Sequence, residues 1–329
     1  MQRTLLRWTL LLAIALALFV VMLGAYTRLT DAGLGCPDWP GCYGQMAPPS
    51  TVDKIHSAQS QYPDLPLENR KAWTEMAHRY AAGTLALLIV FIGWFTIGNK
   101  QQRSLAIALV LLVVFQAILG MWTVTLKLLP VVVMGHLIGG MLIFSFLCRL
   151  FTQIAISTEQ DHRGWRLWLS VGFFIVLLQI ALGGWVSSNY AGLACIGFPT
   201  CNGVWFPKLF FMKGFNLFSS FGVNYQGGIL ENEVRVTIQY IHRLGAIITA
   251  SYILILSSLI LTKARGRKIR TGALLMVFLV LLQFILGVLN VTYLLPLPIA
   301  VAHNGVAALL LALLFSLLQF TYRSQPHGH

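Results

Sequence analysis

Residues 115–136, FQAILGMWTVTLKLLPVVVMGH, and residues 282–303, LQFILGVLNVTYLLPLPIAVAH, are the stretches that decide the fold. They align without a gap, and each runs from one apolar segment through a short break into a second apolar segment that carries a histidine. Another pair repeats in the same order: LGAYTRLTDAGLGCPDWPGCYGQMAP at 23–48 and LGGWVSSNYAGLACIGFPTCNGVWFP at 182–207. This self-similarity indicates an internally duplicated chain.

The composition places the duplicated chain in a membrane. Of its 329 residues, 57% are hydrophobic and 10% are charged, against roughly 25% charged residues in an average soluble domain. Eight apolar stretches are long enough to cross a hydrocarbon core, which takes about 20 helical residues. The first is longer than a signal-peptide core, so we expect it to remain as a helix. The predicted spans are 8–27, 75–97, 104–126, 131–151, 166–188, 237–261, 271–293 and 298–320.

The distribution of Lys and Arg predicts the orientation of these spans. Both termini and the 98–103, 152–165 and 262–270 loops fall on one side, which carries the basic run KARGRKIR. We expect that side to be cytoplasmic and the long loops 28–74 and 189–236 to face outward. The net charge of +13 then follows from topology, and no basic motif or soluble domain indicates nucleic-acid binding.

Each repeat contains an even number of spans, so both repeats cross the membrane in the same direction, related by an axis along the membrane normal. The predicted fold is therefore an all-α integral membrane protein with eight transmembrane helices, arranged as two tandem four-helix bundles of the same orientation. The predicted units are 1–160 and 161–329.

Four of the five cysteines form two C-x5-C pairs in the outward loops, Cys36 with Cys42 and Cys195 with Cys201. An oxidising exterior favours disulfides. A structural staple and a redox-active dithiol are both compatible with the spacing. A zinc site would need four ligands, and neither loop offers a second soft pair.

Four histidines are predicted at one depth near the outward face, two in each repeat and on alternate helices: His78, His136, His242 and His303. We expect His78 and His242 to open their helices. An ionisable side chain inside a span is a functional candidate, although a single one is also compatible with a hydrogen-bonded interfacial histidine. Zinc and copper sites usually recruit Cys, Asp or a third His. A bis-histidine haem needs one imidazole on each side of the ring, donated from facing helices, which matches this pattern.

Two further side chains accompany the first histidine of each repeat. Arg79 and Arg243 directly follow a histidine and are candidates for clamping haem propionates or for anchoring the helix at lipid phosphates. Glu75 and Gln239 lie three residues before the same histidines, on the same helical face. A carboxylate can accept a proton or stabilise positive charge, and an amide does neither well.

The motifs AGLGCPDWPGC, EMAHR, GH at 135–136, IHR and AHNG together resemble the haem A synthases, the family of COX15 and CtaA, over essentially the whole chain. The resemblance implies an oxidoreductase of the bacterial inner membrane that oxidises the C8 methyl of haem O to a formyl group, giving haem A for cytochrome oxidase. It also implies that a haem O synthase is a candidate partner. A homo-oligomer is a further candidate assembly.

The resemblance further implies a role for each motif residue. His242 and His303 would hold a haem b cofactor, His78 and His136 would hold the substrate haem, and Glu75 would be the catalytic carboxylate. Two histidine ligands leave no open site for oxygen on the substrate iron, so we expect Glu75 to help water attack the methyl carbon. The competing mechanism lets one histidine leave the iron so that oxygen binds.

Two other functions remain open at the level of sequence. A di-haem electron carrier needs the four histidines but has no evident need for Glu75 in one half only. A transporter also suits tandem repeats, but no charged residue is evident in the middle of the membrane.

Overall fold

The computed structural model describes residues 2–63, 65–155, 162–218 and 220–321. Eight helices in these ranges are long and apolar enough to cross a membrane, which confirms the predicted all-α fold. They are α1 (Gln2–Leu29), α3 (Asn69–Thr96), α4 (Arg103–Thr125), α5 (Pro130–Ala155), α6 (Arg166–Ser188), α8 (Asn232–Lys263), α9 (Arg267–Thr292) and α10 (Leu297–Leu317). The shorter helices α2 (Val52–Gln61) and α7 (Phe211–Gly214) lie in the two long loops, 30–68 and 189–231.

Four spanning helices begin four to six residues before their predicted apolar stretches, at Gln2, Asn69, Asn232 and Arg267. A helix satisfies its own backbone hydrogen bonds whether or not its side chains are apolar, so α3 and α8 continue through polar turns beyond the hydrocarbon layer. His78 and His242 therefore lie about three turns inside their helices. The expectation that these histidines open their helices was wrong.

The helices of each repeat pack in the same circuit. In the first half α1 contacts α3, α3 contacts α4, α4 contacts α5, and α5 returns to α1. In the second half α6, α8, α9 and α10 make the equivalent contacts. The halves meet through α1 against α10, α5 against α6, and α5 against α10, which is consistent with the predicted tandem repeat. The boundary predicted at residues 160–161 lies outside the described residues, as does the chain after 321.

The duplication extends to backbone conformation. The turn after α4 holds Lys127 and Leu128 at φ of 49° and 62°, and the turn after α9 holds Leu294 and Leu295 at 57° and 59°. A left-handed backbone is uncommon for residues other than glycine. Its recurrence at equivalent positions starts α5 and α10 in the same way, which places the histidine of each helix in the second turn.

One apolar core runs through both halves, from Leu10 in α1 to Leu317 at the end of α10. Large apolar side chains also cover the outside of the helices, including Leu87 and Trp94 of α3 and Phe174 of α6. An apolar exterior on spanning helices is stable against lipid rather than water. The chain is a multi-pass membrane protein.

Candidate functional site

The first histidine pair joins facing helices of the N-terminal half. The ring centroids of His78 on α3 and His136 on α5 lie 6.4 Å apart, with the ring planes at 76°. An imidazole nitrogen lies about 2 Å from a bound metal, and the ring centroid lies about 1 Å further, so two imidazoles on opposite sides of one ion stand about 6 Å apart. The observed separation fits that requirement.

The second pair occupies the equivalent helices of the C-terminal half, with His242 on α8 and His303 on α10. Groups of three or more His, Cys, Asp or Glu able to hold a metal ion do not occur among the described residues. Two imidazoles complete the coordination of a haem iron, since the macrocycle supplies the other ligands. The donor set therefore fits haem better than a bare metal ion.

Each histidine ring packs on a glycine of the neighbouring helix. A Cβ added at any of these glycines would lie only 3.0–3.3 Å from Cε1 of the ring, which is tighter than ordinary carbon contact. The sequence reasoning missed this set, although its members occupy matched positions in the repeats. The pairs are Gly24 with His78, Gly120 with His136, Gly183 with His242, and Gly287 with His303.

Glutamines of α4, α6 and α9 reach three of the histidines. Gln116 donates to the backbone oxygen of His136. Gln179 donates to the backbone oxygen of His242 at 3.0 Å, and its amide nitrogen lies 3.1 Å from Nδ1 of the same ring. On α9, the amide nitrogen of Gln283 lies 3.2 Å from Nε2 of His303. The two contacts with ring nitrogens restrict the orientation of the imidazoles, as hydrogen bonds to metal-binding histidines do.

Three of the four rings present a buried nitrogen that lacks a hydrogen-bond partner within the described ranges: Nδ1 of His78, of His136 and of His303. A buried polar atom without a partner costs about 1–3 kcal/mol. Such atoms call for an explanation, and a ligand that reorients the rings is one. Together with the glycine contacts at all four rings and the ring spacing of the first pair, they indicate that the residues of both pairs fit a haem.

Glu75 lies one turn before His78 on α3 and is 4% exposed. Its carboxylate accepts the backbone N–H of Cys36 at 2.8 Å through Oε2, and Oε1 pairs with Arg79 at 2.5 Å. Both bonds are charge-assisted, which makes them stronger than neutral ones. They hold the carboxylate in one orientation beside the first histidine pair.

Arg79 connects this carboxylate to the first long loop. The guanidinium donates to the backbone oxygens of Asp38, Pro40 and Gly41. Beneath the same loop, the hydroxyl of Tyr43 donates to the oxygens of Leu65 and Pro66. Burial, followed by the nearby charges of Glu68 and Asp38, raises the pKa of Tyr43, so its phenol remains a neutral donor. The loop is thus fastened to α3 through polar contacts.

The second half repeats this fastening without the carboxylate. Arg243 donates to the backbone oxygens of Cys195, Gly197 and Thr200 in the second long loop. At the position of Glu75 stands Gln239, whose Oε1 is buried and has no hydrogen-bond partner in the described part of the chain. The two halves therefore differ where an acid or base would act.

Both predicted cysteine pairs are disulfides in the structure. Cys36 and Cys42 have a Cα–Cα distance of 4.7 Å, and Cys195 and Cys201 have one of 4.9 Å. Each bridge closes a turn whose carbonyls bind the arginine of the adjacent helix. The first bridge also lies against Glu75, because the backbone N–H of Cys36 donates to that carboxylate.

The chain is similar over its length to proteins of one family. The COX15-CtaA family model, described as cytochrome oxidase assembly protein, matches residues 7–315. A protein of Shewanella oneidensis named Heme A synthase is 42% identical over 322 residues, covering 96% of this chain and 97% of the relative. Proteins of the same name from Neorickettsia sennetsu and Alkalihalophilus pseudofirmus are 28% and 26% identical; they cover 95% and 92% of this chain, and 98% and 91% of their own lengths. The chain belongs to the COX15-CtaA family.

Proposed function

We propose that this protein is a haem A synthase, an oxidoreductase that converts the C8 methyl group of haem O to a formyl group. The observation that carries the proposal is the buried carboxylate of Glu75 beside one histidine pair, with Gln239 at the equivalent position of the other half. Membership of the family, and relatives named Heme A synthase, support the same assignment.

The two histidine pairs have different tasks in this proposal. His242 and His303 hold a resident haem b, which supplies reversible one-electron transfer when it is bound. His78 and His136 hold the substrate haem O, so its oxidisable edge lies in the half that contains Glu75. The predicted units, 1–160 and 161–329, thus become a catalytic unit and a cofactor unit.

The oxidation proceeds in two rounds at the methyl carbon. In each round one water adds its oxygen to the carbon, and two protons and two electrons leave, the electrons passing singly to a one-electron acceptor in the membrane. After two rounds the carbon carries two hydroxyl groups, and loss of one water leaves the formyl group. Glu75 takes up the proton of the attacking water, as a general base positioned within the site.

The surroundings of Glu75 suit that role. Arg79 and the N–H of Cys36 hold the carboxylate in place without occupying all of its acceptor capacity, since two carboxylate oxygens offer about four lone-pair positions. Arg79 and Arg243 can bind the propionates of haem, because a planar guanidinium matches a carboxylate in charge and shape. Nε of Arg243, buried and without a partner among the described residues, is the donor most available to one.

The orientation proposed from Lys and Arg places both termini in the cytoplasm and the two disulfide loops outside, in a bacterial inner membrane. Disulfides in both loops are compatible with an oxidising exterior. The substrate dissolves in the membrane, so a haem O synthase is the natural partner for its delivery.

Analysis of extracted haem tests the proposal against an electron carrier. The protein is purified from cells with and without a supply of haem O. Its haems are extracted and identified by mass spectrometry. A synthase yields haem A or its hydroxymethyl precursor only when haem O is supplied. Unmodified haem alone, with both histidine pairs filled, would identify a carrier. Detection of O2 on the substrate iron during turnover would contradict attack by water.

A further inference from the structure

The two halves differ at a second place that the proposed chemistry does not use. Gln179 lies on α6 one turn before Gly183, the glycine that contacts His242. In the first half, the residue one turn before Gly24 is Val20. A long polar side chain beside one imidazole thus corresponds to a short apolar side chain at the equivalent position of the other repeat.

The carboxamide of Gln179 spans the backbone and the ring of His242. Its nitrogen donates to the backbone oxygen at 3.0 Å and lies 3.1 Å from Nδ1, while its Oε1 is buried and lacks a partner within the described ranges. If a haem iron bound at Nε2 of His242, the carboxamide would restrain the ring from the side of Nδ1.

A second difference matches the first. Gly245 lies on α8 three residues after His242, and a Cβ at this position would stand 2.3 Å from Oε1 of Gln179. Only glycine leaves room for the carboxamide there. The residue three positions after His78 is Ala81, whose Cβ has no such side chain to accommodate.

The glutamines of α4 and α9 do not account for the difference. Gln116 and Gln283 occupy equivalent positions in the two repeats, and each contacts the second histidine of its half, Gln116 at the backbone oxygen and Gln283 at the ring. The ring of His78, by contrast, has a buried Nδ1 without a partner among the described residues. Gly139 makes room for Gln116 beside His136 as Gly245 does for Gln179 beside His242. What is specific to the C-terminal half is a glutamine beside the first histidine of its pair, since Val20 stands at the position of Gln179 in the other repeat.

We propose that Gln179, accommodated by Gly245, is a positioning residue that locks the imidazole of His242, so that the C-terminal half retains its haem while the N-terminal half binds and releases haem. The inference rests on the proposed function, in which one haem is resident and the other is substrate and product. An enzyme of that kind needs slow exchange at one site and fast exchange at the other. Hydrogen bonds to metal-binding histidines commonly change affinity by about 10- to 100-fold.

The test measures haem transfer from the purified full-length protein to apomyoglobin, which binds released haem. Gln179→Met keeps the side chain's length and removes its hydrogen bonds. We expect haem loss from the C-terminal half to become about tenfold faster or more, together with a shift in the low-spin spectrum of that haem. Val20→Met, the matched control at the equivalent position, is expected to leave both release rates unchanged.

The reciprocal variant keeps the proposal testable if Gln179→Met fails to fold. Val20→Gln combined with Ala81→Gly builds the same pair beside His78, and we expect it to slow haem release from the N-terminal half about tenfold. Unchanged release in either folded variant would overturn the proposal. Haem release is measured whether or not haem A is formed, so a failure of the synthase assignment remains distinguishable from a failure of the positioning role.

Discussion

At the scale of the residue, the protein places chemically different side chains at equivalent positions. Glu75 and Gln239 have the same spacing to a histidine and are both buried, but Glu75 is a carboxylate held by Arg79 and by a backbone N–H. The spacing made this asymmetry predictable from the sequence. The hydrogen bond from the N–H of Cys36 to Glu75 was not predictable, because the separation of the two residues in sequence does not show how the loop folds back onto α3.

Removal of one histidine from each pair separates the two proposed haem sites. We expect His242→Ala to lower resident haem b about tenfold or more, because the iron loses an axial ligand. His78→Ala should keep the resident haem and bind little substrate haem. The measurement is the haem-to-protein ratio and the absorption spectrum after purification. His56→Ala, on exposed α2, is the control. Loss of the same haem in both variants would contradict two separate sites.

At the scale of the element, the helix bounds were predictable to within about six residues, whereas the contacts between helices were not. A long run of apolar residues identifies a span, but hydropathy does not show how far the helix continues beyond that run. Both α3 and α8 continue into polar turns. The glycines that face the histidine rings were visible in the repeats. Their role required knowledge of which helix stands beside which ring.

A methyl group added on α1 tests the contact with the first ring. In Gly24→Ala the new Cβ lies 3.0 Å from Cε1 of His78, so the ring must move by a few tenths of an ångström. Metal-binding geometry tolerates only about 0.5 Å. We expect several-fold less substrate haem in the N-terminal half and unchanged haem in the other half.

Gly83→Ala is the matched control for this substitution. It adds the same methyl group to α3, where nothing lies within 4 Å. Haem content is determined from the spectra of the two purified variants. Equal haem content in both would show that the glycine contact does not constrain the ring.

At the scale of the whole molecule, duplication followed by local divergence explains the architecture. The repeat, the eight spans and the histidine pairs were readable from the sequence because each is a pattern along the chain. The binding of Arg79 and Arg243 to loop carbonyls was not, since propionates and lipid phosphates were the only acceptors that sequence suggested. Each disulfide loop is therefore held by hydrogen bonds to the helix that carries the first histidine of its half.

The two disulfides are expected to differ in importance. Substitution of Cys36 and Cys42 by serine loosens the loop whose N–H holds Glu75, and we expect haem A formation to fall about tenfold, in line with the loss of groups that position a metal site. The same change at Cys195 and Cys201 should have a smaller effect. Haem A per protein is the measurement. Complete loss from the first variant would instead indicate a redox-active dithiol.

The most direct test of the account compares haems extracted from Glu75→Gln with those from the intact chain, in cells that make haem O. Gln239→Glu, the reverse exchange in the other half, serves as the control. The account predicts that Glu75→Gln binds both haems and forms neither haem A nor its hydroxymethyl precursor, while Gln239→Glu still forms haem A. Formation of haem A by Glu75→Gln at the rate of the intact chain would contradict a catalytic carboxylate in the N-terminal half.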